Sequence, residues 1–66
     1  MTAREEQLYD YIKSYIKQRG YSPTMKEMSI GLHTKSISHI RMMLEHLKAE
    51  KKIDFVPGAT RTITIK

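Results

Sequence analysis

Leu8, Ile12, Tyr15 and Ile16 recur at the spacing of one helix face, with Tyr9 or Tyr11 flanking it and charged residues filling the positions between. Thr2-x-x-Glu5 just ahead forms a capping box, in which each side chain satisfies an orphan backbone amide of the other. Gly20 follows the last periodic residue and suits the left-handed position that ends a helix. The pattern predicts a first helix over about residues 3–19. Tyr21-Ser22-Pro23 reads as extended, because a residue before proline avoids the helical region. Thr24-x-x-Glu27 is a second capping box and opens a short helix over about 25–31, with Met28 and Leu32 as its buried residues. Gly31 weakens that helix near its end.

After a turn at His33-Thr34-Lys35, Ser36 is the N-cap of a third helix over about 36–50. Ile37, Ile40, Leu44 and Leu47 make its apolar stripe, and Lys48, Lys51 and Lys52 gather at its end, where the helix dipole favours positive charge. The period then changes. Ile53-Asp54-Phe55 and Thr62-Ile63-Thr64-Ile65 alternate apolar and polar residues around a Pro57-Gly58-Ala59-Thr60 turn, which predicts a β-hairpin over about 53–66 with Arg61 near its tip. The chain shows no repeat, low-complexity tract or linker, so residues 1–66 read as one domain. The fold class is α+β, mainly α: a winged helix-turn-helix, three helices followed by a two-stranded wing.

Size and charge narrow the function. A chain of 66 residues buries about 60% of its unfolded surface and has no room for a catalytic lobe beside its core. Lys and Arg number 12 against 7 Asp and Glu, giving +5 and a pI near 9.7, which favours a polyanionic partner. There is no cysteine, hence no disulfide and no thiolate ligand, in keeping with a cytoplasmic setting. No apolar run matches a signal peptide or a membrane span. His33, His39 and His46 lack a carboxylate at ligand spacing, so no metal site is expected. Neither a nucleophile with a paired base nor a Gly-rich phosphate loop is present, so the chain does not read as an enzyme and no cofactor is implied.

In a helix-turn-helix the second helix of the motif enters the major groove and presents its N-terminal residues to base edges. The apolar stripe of the third helix leaves Ser38, His39, Arg41, Met42 and Glu45 facing outward. Arg41 suits a bidentate contact to guanine, Ser38 and His39 suit base edges, and Met42 suits a thymine methyl. Lys26, Lys35, Ser36 at the helix start and Arg61 on the wing are the expected phosphate contacts. The expected partner is double-stranded DNA, bound by a monomer in solution that pairs on an inverted repeat. Met25, Ile30 and Met42 sit on no obvious core face and form a candidate protein-contact patch. The alternative function is therefore a protein-interaction module, an antirepressor or an inhibitor of a regulator or nucleic-acid enzyme.

Over nearly its whole length the chain resembles the N-terminal DNA-binding domain of LexA repressors. The resemblance rests on Thr2-Ala3-Arg4, Pro23-Thr24-x-x-Glu27, Leu32-x-x-Lys35-Ser36, Leu44-x-x-Leu47 and Ile53-Asp54-Phe55-Val56-x-Gly58-Ala59-x-Arg61. It implies that Ser36, Ser38, His39, Arg41 and Met42 face an operator and that the wing contacts the backbone. His39 and Arg41 stand where the family carries a small and an acidic residue, which implies an operator other than the usual one. The family's C-terminal half, with its self-cleavage serine and lysine and most dimer contacts, has no counterpart in this sequence. The expectation is a transcriptional regulator without self-cleavage, either free-standing, as phages and mobile elements encode, or an excised domain.

Overall fold

The computed structural model describes residues 2–56, 58, 59 and 61–66. Three helices, α1 (Ala3–Arg19), α2 (Met25–Gly31) and α3 (Ile37–Ala49), precede two short antiparallel strands, β1 (Ile53–Asp54) and β2 (Thr64–Ile65). This is the winged helix-turn-helix layout. Pro57 and Thr60 of the expected turn lie outside the described residues.

Both capping boxes close reciprocally. The Thr2 hydroxyl accepts from the Glu5 amide at 3.2 Å while the Glu5 carboxylate accepts from the Thr2 amide at 3.0 Å. Thr24 and Glu27 repeat the exchange at 3.1 and 2.8 Å. Gly20 ends α1 at φ +81°, its amide donating to the Ile16 carbonyl at 2.8 Å. A side chain there is strained by its own Cβ, which is why the chain carries none. Ser36 caps α3, its hydroxyl accepting from the His39 amide at 3.2 Å.

The core joins Leu8 and Ile12 of α1, Met28 and Leu32 of α2, and Ile40, Met43, Leu44 and Leu47 of α3, closed from the hairpin side by Ile53 and Ile63. The stripe on α3 is Ile40, Met43, Leu44 and Leu47, at i, i+3, i+4 and i+7, rather than the set that began with Ile37. Ile37 is 42% exposed, because the first helical residue lies on the edge that faces the hairpin, whereas Met43 is buried. Tyr15 and Ile16 are half-buried rather than central.

Gly31 does more than loosen the end of α2. A Cβ at this position would collide with the Tyr11 ring. Tyr11 cannot retreat freely, because its hydroxyl donates to the Glu27 carbonyl at 3.1 Å. The bare backbone is what lets α1 and α2 approach.

The strands are shorter than their alternation suggests, pairing only Ile53 with Ile65 and Asp54 with Thr64. Side chains intercept the backbone beyond that point. The Val56 amide donates to the Thr62 hydroxyl at 3.0 Å, and the Ile63 amide donates to the Ser22 hydroxyl at 3.2 Å. The second bond explains why Ser22 is buried between the helices and the wing.

Candidate nucleic-acid interface

With one side of α3 committed to the core, the opposite side presents Ser38, Arg41, Met42 and Glu45 to solvent, and His39 is half-buried beside them. The Arg41 and Glu45 side chains are 62% and 59% exposed and approach to 4.0 Å between Nε and Oε1. Met42 is 47% exposed. The face thus combines hydroxyl, imidazole and guanidinium groups with one apolar side chain and one carboxylate. Ser36 sits at the positive end of the helix dipole, with its hydroxyl engaged in the cap. Lys26 in the first turn of α2 and Lys35 in the turn before α3 are exposed.

Arg61 is placed differently from the expectation of a free hairpin tip. Its backbone is left-handed, at φ +55°. Its guanidinium is turned back onto the helices. One terminal nitrogen donates to the Ser22 carbonyl at 3.0 Å and approaches the Tyr15 hydroxyl at 3.5 Å. The other donates to the Glu27 carboxylate at 3.2 Å, and the plane lies 4.6 Å from the centre of the Tyr21 ring. Glu27 serves two masters, its own capping box and this arginine. Its carboxyl is held at about 2, against an ordinary 4.5, first by the Thr24 amide and then by the Tyr15 hydroxyl and Arg61. These contacts bridge three elements through residues that no local pattern associates.

A second long-range tie joins α3 to the start of α1. His46 Nδ1 lies 2.8 Å from the buried Glu5 carboxylate, whose pKa is lowered first by the Thr2 amide and then by His46. On the wing side, Lys48 donates to the Phe55 carbonyl at 3.1 Å, approaches Asp54 at 3.7 Å and lies over the Phe55 ring. Among the described residues no group of three His, Asp or Glu side chains is arranged to hold a metal ion.

The apolar residues singled out as a protein-contact patch divide. Met25 packs against the core and lines a shallow apolar groove with Ile37, Phe55 and Val56, with Arg41 at its rim. Ile30, 63% exposed on α2, and Met42, on the outer face of α3, do not line that groove. Among the described residues no helix is long and apolar enough to cross a membrane.

Comparison with known proteins places this geometry in context. A family model described as the LexA DNA binding domain matches residues 1–62. The LexA repressor of Hahella chejuensis is 40% identical, over 98% of this chain and 32% of the relative. That of Clostridium kluyveri is 37% identical over 94% and 31%, and that of Marinobacter nauticus 35% identical over 98% and 32%. The chain therefore spans about a third of the length of the curated relatives it matches.

Proposed function

Since the chain belongs to the family of LexA DNA-binding domains, we propose that it binds double-stranded DNA by sequence and, like the relatives named repressors, represses transcription inside the cell. The observation that carries this reading is the outer face of α3. Ser38, Arg41 and Met42 stand clear of the core with His39 beside them, on the element that enters the major groove in helix-turn-helix proteins. Arg41 supplies a fork of donors for guanine, Ser38 and His39 supply donors or acceptors for neighbouring edges, and Met42 offers an apolar surface to a thymine methyl. Lys26, Lys35 and the capped start of α3 at Ser36 neutralise phosphates, which sets the register without selecting sequence. Arg61 braces the wing against the helices, its guanidinium engaged by Ser22, Glu27 and Tyr21 rather than by a phosphate. The chain binds as a monomer and pairs on an inverted repeat.

Selection of duplexes from a randomised library at near-physiological salt tests this. A sharp enriched motif is the expected result, and a doubled motif gives the half-site spacing. Weak binding to every duplex with no enrichment contradicts it. The alternative, a protein-binding module, draws on a separate observation, the exposed Ile37 and Val56 along the groove beside the wing. Salt separates the two: counterion release makes DNA binding fall steeply with ionic strength, whereas an apolar contact does not.

A further inference from the structure

Glu45 is the one acidic residue in α3, and it stands on the face that meets DNA in the proposed function. A bare carboxylate there repels phosphates. Nor does helix stability account for it. An acid in the C-terminal half of a helix opposes the dipole. An Arg followed four residues later by Glu is the weaker orientation of an i,i+4 pair. At 62% and 59% exposure such a pair adds little to folding. What the geometry does provide is orientation. The Glu45 carboxylate lies on the Nε side of the Arg41 guanidinium, 4.0 Å away. A carboxylate drawn to Nε leaves the two terminal nitrogens, the planar fork that matches guanine O6 and N7, to a ligand.

We infer that Glu45 positions Arg41 to read guanine, so that the pair commits one base pair of the target to G·C. The inference rests on the DNA-binding proposal and names a base that the target must contain. Glu45 acts through Arg41 and is a positioning residue. Its charge also penalises binding to DNA that offers Arg41 no guanine, since the carboxylate then faces the polyanion without a compensating contact.

The test uses the full chain and the duplex enriched by the wild type, with the guanine identified as the position at which Arg41→Lys relaxes the base preference. Binding of wild type, Glu45→Gln, Glu45→Ala, Arg41→Ala and the Arg41→Ala/Glu45→Ala double variant is followed by fluorescence anisotropy. The duplexes are the enriched one, its G·C-to-A·T derivative and a random one. Glu45→Ala is expected to lose roughly five- to tenfold on the enriched duplex and to hold or gain on the random one. The double variant should bind the enriched duplex no more weakly than Arg41→Ala alone. Thermal melting confirms that each variant is folded, and an exposed site predicts unchanged melting temperatures. Uniformly tighter binding of Glu45→Ala to all three duplexes, with the preference for guanine intact, overturns the inference and leaves the DNA reading standing. If the wild type enriches no motif at all, the DNA reading itself fails and this inference falls with it.

Discussion

Arg41 and Arg61 are the same residue in regions with opposite logic. Around Arg61 the protein supplies the Ser22 carbonyl, the Tyr15 hydroxyl, the Glu27 carboxylate and the Tyr21 ring, and the guanidinium's donors are directed into the fold. Around Arg41, among the described residues, the polar partner is the Glu45 carboxylate, and the side chain is 62% exposed at the rim of the groove. A surface cation with several well-placed internal partners is part of the architecture, whereas one with a single partner on a solvent face remains available to a ligand. Charge and position in the sequence do not separate the two cases; partner geometry does.

The largest expected effect erases the contrast by removing the scaffold beneath it. Ile40→Ala empties a fully buried site on the core side of α3. It should lower stability by about 2–5 kcal/mol, measured by denaturant unfolding, with DNA binding lost in proportion to the unfolded fraction. Gly31→Ala acts next, where α1 and α2 approach each other. Its Cβ meets the Tyr11 ring, which stacks toward Tyr15 at 6.0 Å between centroids. Overpacking of about 1–3 kcal/mol should exceed the helix propensity of about 1 kcal/mol gained on replacing glycine. The expected outcome is a lowered melting temperature.

Arg41→Ala sharpens the comparison. It should cost about 1–3 kcal/mol of specific binding and relax one base position, with a melting temperature like that of the wild type. Lys35→Ala gives the reference for a plain phosphate contact: weaker binding to all sequences alike and a salt slope shallower by about one.

The smallest effect concerns pH. The folded Glu27 carboxyl titrates at about 2, below its ordinary 4.5, and Glu5 is shifted in the same direction. For a depressed acid the stabilisation is fully present above the unfolded pKa and is lost as pH falls through the folded one. These two groups therefore predict a flat melting temperature from pH 7 to about 5 and a decline between about 4.5 and 2. Glu27→Gln should melt lower at pH 7 and show a shallower acid decline.

Most of the fold was legible because its signals are local. Thr2, Glu5, Thr24 and Glu27 mark two helix starts within four-residue windows, and Gly20 marks a stop. The hairpin showed in the change of period at Ile53, although its ladder closed early when Ser22 and Thr62 drew off the Ile63 and Val56 amides. On α3 the spacing places Ile40, Leu44 and Leu47 in the core as observed; Ile37 fits the same spacing, and only the position of the hairpin shows that it lies at the edge. The outward set at Ser38, Arg41, Met42 and Glu45 followed from the stripe's opposite side and needed no tertiary information. The placement of Arg61, the His46–Glu5 tie and the reason for Gly31 were not legible. Each joins elements far apart in sequence, and no spacing rule carries such a pairing. Glu45 lay in plain view, but its significance depends on where Arg41 points.

One experiment bears most directly on the division between the reading face and the wing root. Binding of wild type, Arg41→Ala and Arg61→Ala to the enriched and random duplexes is measured over a salt series, below the melting temperature of each variant. Arg41→Ala is predicted to collapse the ratio of enriched to random affinity. Arg61→Ala is predicted to melt earlier yet retain both that ratio and the wild-type salt slope. A retained ratio in Arg41→Ala, together with a salt slope shallower by about one in Arg61→Ala, would contradict the account, because it would make Arg61 the DNA contact and Arg41 the bystander.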